Sequence, residues 1–267
     1  MNAPEKIFLP DVQASRDERN IVIQKVGIKA VRHPVQIKTK AGSQASVAMI
    51  DMTVKLPSDV KGTHMSRFLE VLQNQHAPLE FDSVTKLMST MLERLEATEG
   101  HIDMKMPLFL NKVAPVSGVE SLLDYDLHIK AAFEKGALRY TLQVQVPVTS
   151  LCPCSKKISE YGAHNQRSHI VIAAEITENM DAEDLIKIAE QAASCELWGL
   201  LKRPDEKYVT EKAYDNPKFV EDLVRDIAVA LDHSEKVIAY EVSSENFESI
   251  HNHSAYAWLA KDKRNTH

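Results

Sequence analysis

Apolar side chains fall on every second position through two runs that lie almost back to back. Leu123, Tyr125, Leu127, Ile129 and Ala131 form the first, and Leu142, Val144, Val146 and Val148 the second. Only the turn sequence Glu134-Lys135-Gly136-Ala137 and a short lead-in separate them. A period of two places alternate residues on one face of a strand, so each run predicts a half-buried strand. Val26–Ala30, Val35–Lys38 and Ser46–Lys55 read as further strands, with a hairpin turned by Lys40-Ala41-Gly42-Ser43. Residues 101–110, 169–176, 236–243 and 254–260 complete the strand set.

Helical spacing fills the intervals. Phe68, Leu69 and Leu72 share one face of a helix over 66–75. Val84, Leu87, Met88, Met91, Leu92 and Leu95 make a core stripe on a second, capped by Asp82 or Ser83 and stopped by Gly100. A third runs over 181–197, and its face is read as carrying Cys195 into the core. A fourth follows Pro217 and carries Phe219, Val220, Leu223, Val224, Ile227 and Leu231. Lys202-Arg203-Pro204-Asp205-Glu206-Lys207 reads as a charged, solvated loop between helices.

The order strand-strand-helix-helix-strand-strand therefore occurs twice. The fold class is α+β, with a polar segment at 1–20 and two halves at 21–136 and 137–267, each a four-stranded antiparallel sheet with helices on one face. Such a half leaves strand edges unpaired and one face uncovered, so assembly with further copies is expected.

Chemistry concentrates in the second half. Cys152, Cys154, Lys156, Lys157, His164, Arg167 and His169 fall within eighteen residues. Thiolate and imidazole are preferred ligands of borderline-soft divalent metals, and the cations suit a thiolate or an anionic substrate. A loop of ordinary small and polar residues is the plain alternative, and His169 fits it, at the start of a strand. With three cysteines in the chain, a four-cysteine structural site is excluded. A second cluster, Glu245 to Ser254, brings Glu245, Glu248, His251 and His253 together. It is either a solvated turn or a place where a carboxylate takes paired N–H donors and a histidine moves protons or binds metal. Gly62-Thr63-His64-Met65-Ser66-Arg67-Phe68 is either a helix cap or a phosphate-binding helix start.

A net charge of −6 argues against non-specific nucleic-acid binding. No apolar run reaches the ~20 residues that span a bilayer, and residues 1–19 lack a signal peptide's apolar stretch. Three cysteines in 267 residues make no disulfide framework, which points to the cytoplasm.

Ser150–Lys156, Gly162–Ser168, Glu248–Ala255 and Gly62–Phe68 together resemble the motifs of the prokaryotic type IB GTP cyclohydrolases, and the likeness extends from about Val26 to Ala260. The resemblance implies tandem tunnelling-fold modules. It also implies conversion of GTP and water to 7,8-dihydroneopterin triphosphate and formate, on the way to tetrahydrofolate. It implies a homotetramer with active sites between subunits and one divalent metal per site, Zn2+ or Mn2+ or Fe2+. The implied ligands are Cys152, His164 and Glu206, with His251 a possible fourth. Cys154, His251 and His253 then transfer protons, and Glu248, or else Glu221, grips the guanine edge. Arg67, His64, Lys156, Lys157 and Arg167 hold the triphosphate. The alternatives are a tunnelling-fold relative such as a nitrile reductase, or a metal- or nucleotide-binding protein without turnover.

Overall fold

The computed structural model describes residue 13 and residues 15–265, so the polar segment at 1–20 lies largely outside the described residues. In chain order the elements are β1 (Ile23–Thr39), β2 (Gly42–Leu56), α1 (Met65–Gln73), α2 (Phe81–Arg94), β3 (Gly100–Val113) and β4 (Glu120–Glu134). Then come β5 (Ala137–Leu151), α3 (Pro153–Ile158), β6 (Asn165–Ile176), α4 (Ala182–Ala192), α5 (Arg203–Asp215), α6 (Val220–Asp232), β7 (Val237–Asn246) and β8 (Ala255–Asp262).

All eight strands join one antiparallel sheet in sequence order. The two sets of four expected strands are thus continuous. β4 and β5 pair from Asp126 opposite Gln145 to Glu134 opposite Ala137, across the turn at Gly136. The outer edges are β1 and β8.

β1 is one long strand where the sequence suggests two runs. Ala30 takes a positive φ of 57° and the register slips between Ile28 and Val31, a bulge that breaks the alternation. The Asp51 carboxylate accepts the freed Ala30 N–H at 2.7 Å. Pro34 is tolerated because β1 is an edge. At Gly27 the strands approach so closely that a Cβ would sit 2.1 Å from the Met52 carbonyl oxygen.

The apolar face of the sheet carries the helices. Ile50, Met52, Met104, Ile129, Val144, Ile170 and Val242 meet Phe68, Met88 and Met91 at one end and Leu185, Leu223 and Ile227 at the other, in one continuous core. Each such buried side chain contributes about 1.5–3 kcal/mol relative to exposure. The opposite face is polar, and a trough of about 760 Å³ crosses it, lined by Lys25, Asp51, His101, Asp103, Lys130 and Arg139 among others.

Several local readings are corrected. Neither Asp82 nor Ser83 is the cap of α2; both lie inside its first turn. Glu80 is the cap, with its N–H donating to Ser83 Oγ at 3.0 Å. The helix ends at Arg94 with Glu96 at φ 53°, and Gly100 opens β3 instead of stopping the helix. The helix expected over 181–197 ends at Ala192. Cys195 is buried as expected, but in extended chain bonded to Thr149, not on a helix. The charged stretch at 202–207 is the start of α5, not a loop. Only Asp205 and Ala213 of that helix are buried, so no apolar stripe announces it. It is fixed at its start. Asp205 is fully buried and accepts from the Val116, Ser117 and Lys202 amides, each at 2.8 Å, and from Ser117 Oγ at 2.6 Å. Among the described residues no helix is long and apolar enough to cross a membrane.

Candidate functional site

β5, β6 and β7 end together, and the chain beyond each end turns toward the others. Leu151 leaves β5 into Cys152, the N-cap of α3, where Pro153 occupies the first turn and no amide is lost. The Ser155 N–H reaches Cys152 Sγ at 3.5 Å, and Ser155 Oγ donates to the Cys152 carbonyl at 3.1 Å. The chain returns at His164, whose carbonyl accepts the Cys152 N–H at 3.2 Å. After β7 the loop 247–254 folds over this junction. The Phe247 N–H donates to the Arg167 carbonyl at 2.9 Å, and the Phe247 and His169 rings meet edge to face at 4.9 Å.

Between these segments and the start of α6 lies a cavity of about 420 Å³. Cys152, Cys154, His164, Glu221, Glu248, His251 and His253 all line it. Cys152, His164 and Glu248 are half-buried, whereas Cys154, Glu221, His251 and His253 are exposed. His164 Nδ1 bonds Ser249 Oγ at 3.2 Å, which leaves Nε2 to other partners. Gln166 Nε2 donates to Glu248 Oε1 at 3.2 Å. The His251 and His253 rings stack 5.1 Å apart.

The remaining expected site residues lie elsewhere. Glu206 is exposed in the first turn of α5 and does not line the cavity. His64 is the N-cap residue of α1, and Arg67 donates to the Arg94 carbonyl and to Glu96 at 3.4 Å, which ties α1 to α2. Lys156 donates to the Tyr214 carbonyl and lies 4.2 Å from that ring's centre, so it closes the end of α5. Lys157 and Arg167 are exposed beside the cavity's segments without lining it.

Gln166, Lys218 and Asn246 line the cavity without having been given a role in the sequence, and Phe219, expected on the apolar face of the last helix, is instead the exposed N-cap residue of α6 and lines the cavity too. Gln166 shares the inward face of β6 with Ser168 and Ile170, so a polar residue at an apolar phase was its signal. Lys218 directly follows Pro217 and donates to Asp226 at 2.7 Å.

Among the described residues no three His, Cys, Asp or Glu side chains stand close enough to hold a metal ion. The donors present nevertheless suit one. A free thiol and an imidazole that, among the described residues, bonds through Nδ1 come from segments tied through their backbones, and both open on one cavity. The third thiol, Cys195, is pushed up to about 11 by burial and by Glu196, and plays no part here.

The family model described as type I GTP cyclohydrolase folE2 matches residues 9–257. A GTP cyclohydrolase FolE2 of Cupriavidus pinatubonensis is 59% identical over 256 residues, 96% of this chain and 95% of that protein. One from Paraburkholderia phymatum is 59% identical over 266 residues, 99% of each. Among solved structures, the uricase of Arthrobacter globiformis superposes with a TM-score of 0.53 at 7% identity, over 91% of this chain and 95% of its own. Urate oxidase from Bacillus sp. TB-90 gives 0.51 at 8%, over 90% and 100%. At such identities the likeness is one of fold.

Proposed function

Because the chain belongs to the type I GTP cyclohydrolase FolE2 family, we propose that its reaction runs in the cavity where β5, β6 and β7 end. The protein is a hydrolase of the type IB class. It converts GTP and water to 7,8-dihydroneopterin triphosphate and formate, the first step toward tetrahydrofolate. One observation carries the placement. Seven chemically apt side chains, spread from Cys152 to His253 in sequence, open on a single 420 Å³ space.

A divalent cation, Zn2+ or else Mn2+ or Fe2+, would supply the Lewis acidity this hydrolysis calls for. Cys152 and His164 would hold it, with Glu206 as third ligand and His251 available as a fourth. Because Glu206 does not line this chain's own cavity, we infer that a neighbouring copy supplies it. Its helix meets this site at the other end, where Lys156 bonds the Tyr214 carbonyl. Eight residues of helix put Glu206 roughly 12 Å farther on, and Asp205 pins that end to Val116 and Ser117.

Glu248 accepts the paired N–H donors of the guanine edge, with Glu221 the other candidate. Half-buried and already held by Gln166, Glu248 is the better placed. Ring opening requires protons at the imidazole nitrogens of the base. Cys154, His251 and His253, all on the cavity wall, deliver and remove them. Lys157 and Arg167 hold the triphosphate with Lys156 at the rim, and His64 and Arg67 approach from a neighbouring copy.

In this reading the one sheet is two tunnelling-fold modules, 21–136 and 137–267, joined through the β4–β5 pairing, and a homotetramer completes the sites. Ile158 is 85% exposed, Tyr161 99% and Ile250 63%, an apolar rim suited to a second copy. We place the enzyme in the cytoplasm, where the free thiols Cys152 and Cys154 persist.

The test is incubation with GTP after chelation and again after remetallation. The expected result is one formate per GTP and a pterin that fluoresces after oxidation, only with metal restored. GTP left intact by fully metallated protein would overturn the reading.

A further inference from the structure

Gln166 sits on β6 only 8% exposed, at a position whose neighbours in phase, Ser168 and Ile170, are fully buried. Its Nε2 donates to Glu248 Oε1 at 3.2 Å. Its own Oε1 is buried and, among the described residues, has no hydrogen-bond partner. A buried acceptor left unpaired is a cost that an apolar side chain would avoid. Rotating the amide gives no relief. It would bury two N–H donors where one acceptor is now idle, and aim an oxygen at a carboxylate. The orientation present is the one that aims an N–H donor at the Glu248 carboxylate.

Glu248 itself lies on the irregular loop between β7 and β8, whose residues Ser249 to His253 are exposed. Nothing in that loop's own backbone is regular enough to aim a carboxylate. Gln166, by contrast, is the second residue of β6, with its backbone held in register with Ser150 of β5 and its side chain on the strand's buried face. We infer that Gln166 is a positioning residue for the base-recognition carboxylate. Its amide fixes the plane of Glu248, so that the carboxylate oxygens meet the paired N1–H and N2–H donors of guanine in register. Each carboxylate oxygen has two acceptor sites, so Oε1 takes the Gln166 N–H and a base N–H together. Gln166 acts through Glu248 and has no contact with the base. The gain is preorganisation, which lowers the cost of ordering a loop carboxylate on binding.

This inference rests on the assignment of Glu248 to the guanine edge, and the test separates the two. The probes are GTP and inosine triphosphate, which lacks the exocyclic amine. The metallated enzymes are the wild type, Gln166→Met, Glu248→Gln and the double variant, with melting temperatures recorded alongside. Gln166→Glu is added as an isosteric variant without an N–H donor, should the Met variant fail to fold. Gln166→Met is expected to raise KM for GTP about tenfold while kcat stays within about twofold, the loss of one charge-assisted hydrogen bond. It should also cut the preference for GTP over inosine triphosphate by a similar factor. In the Glu248→Gln background it should do neither. A purely structural role would move stability and leave the nucleotide preference intact. If Glu248→Gln loses the preference while both Gln166 variants keep wild-type KM and preference, the inference is overturned and the assignment of Glu248 stands. If Glu248→Gln keeps the wild-type preference, the assignment fails and the inference with it.

Discussion

Two dead variants are expected to rescue each other. Cys152→Ala removes the thiol that lines the cavity, and Glu206→Ala removes a carboxylate that does not. From Glu206 to Tyr214, where α5 meets the site's α3, is eight residues, or roughly 12 Å of helix. A metal–ligand bond is about 2.0–2.3 Å long. Within one chain the end of α5 that carries Glu206 is anchored elsewhere, by Asp205 at the β3–β4 hairpin. A site built from Cys152 of one copy and Glu206 of the next is whole in a mixed oligomer whenever the first chain carries Glu206→Ala and the second Cys152→Ala. In a random one-to-one assembly each condition holds half the time, so about one quarter of wild-type turnover should return. The variants are co-expressed or unfolded and reassembled together, mixed oligomers are confirmed by native mass spectrometry, and pterin fluorescence is read. Each variant alone should be inert. Mixed oligomers as inert as their parents would show that both ligands come from one chain, and the route by which Glu206 reaches the metal would be wrong.

Phe68→Ala should cost about 3–5 kcal/mol in urea unfolding, because Phe68 is fully buried between α1 and the sheet; a loss under ~1 kcal/mol would misplace it. Cys152 and Cys154 should react with a thiol reagent in the native protein, while Cys195, pushed up to about 11 by burial, reacts only on unfolding; three fast thiols would contradict this. Burial alone would raise the Asp205 carboxyl, but hydrogen bonds from Ser117, Lys202 and Val116 outweigh it and hold the group well below the usual carboxylate range. A depressed folded value gives stability that is present above the unfolded pKa of about 3.9 and lost as pH falls toward the folded one. The melting temperature should therefore drop in acid for the wild type and change less for Asp205→Asn; parallel acid profiles would remove Asp205 as the anchor of α5.

How much of this was legible in the sequence varied with periodicity. β4 and β5 could be read from the alternation through Tyr125 and Val144, and α2 from its stripe through Met88 and Met91, because one face of each is buried. α5 could not, since its burial is confined to Asp205 and Ala213. The bulge at Ala30 hid the continuity of β1, and although the turn at Gly136 marked the β4–β5 hairpin, the expected division into two halves there hid that it joins all eight strands into one sheet. At the site, the close spacing of Cys152, Cys154 and His164 was visible in the chain. Gln166 showed only as a polar residue at an inward phase and Lys218 not at all, because neither carries a mark of its partner until Glu248 and Asp226 are seen beside it.

Substitution of cobalt(II) at the metal site tests most directly whether a cation bound through Cys152 serves the reaction. The wild type should show a near-ultraviolet thiolate-to-cobalt absorption band and turn over GTP. Cys152→Ala should lose both while its melting temperature without metal matches the wild type. A Cys152→Ala protein that keeps the band, or keeps releasing formate from GTP, would contradict the account.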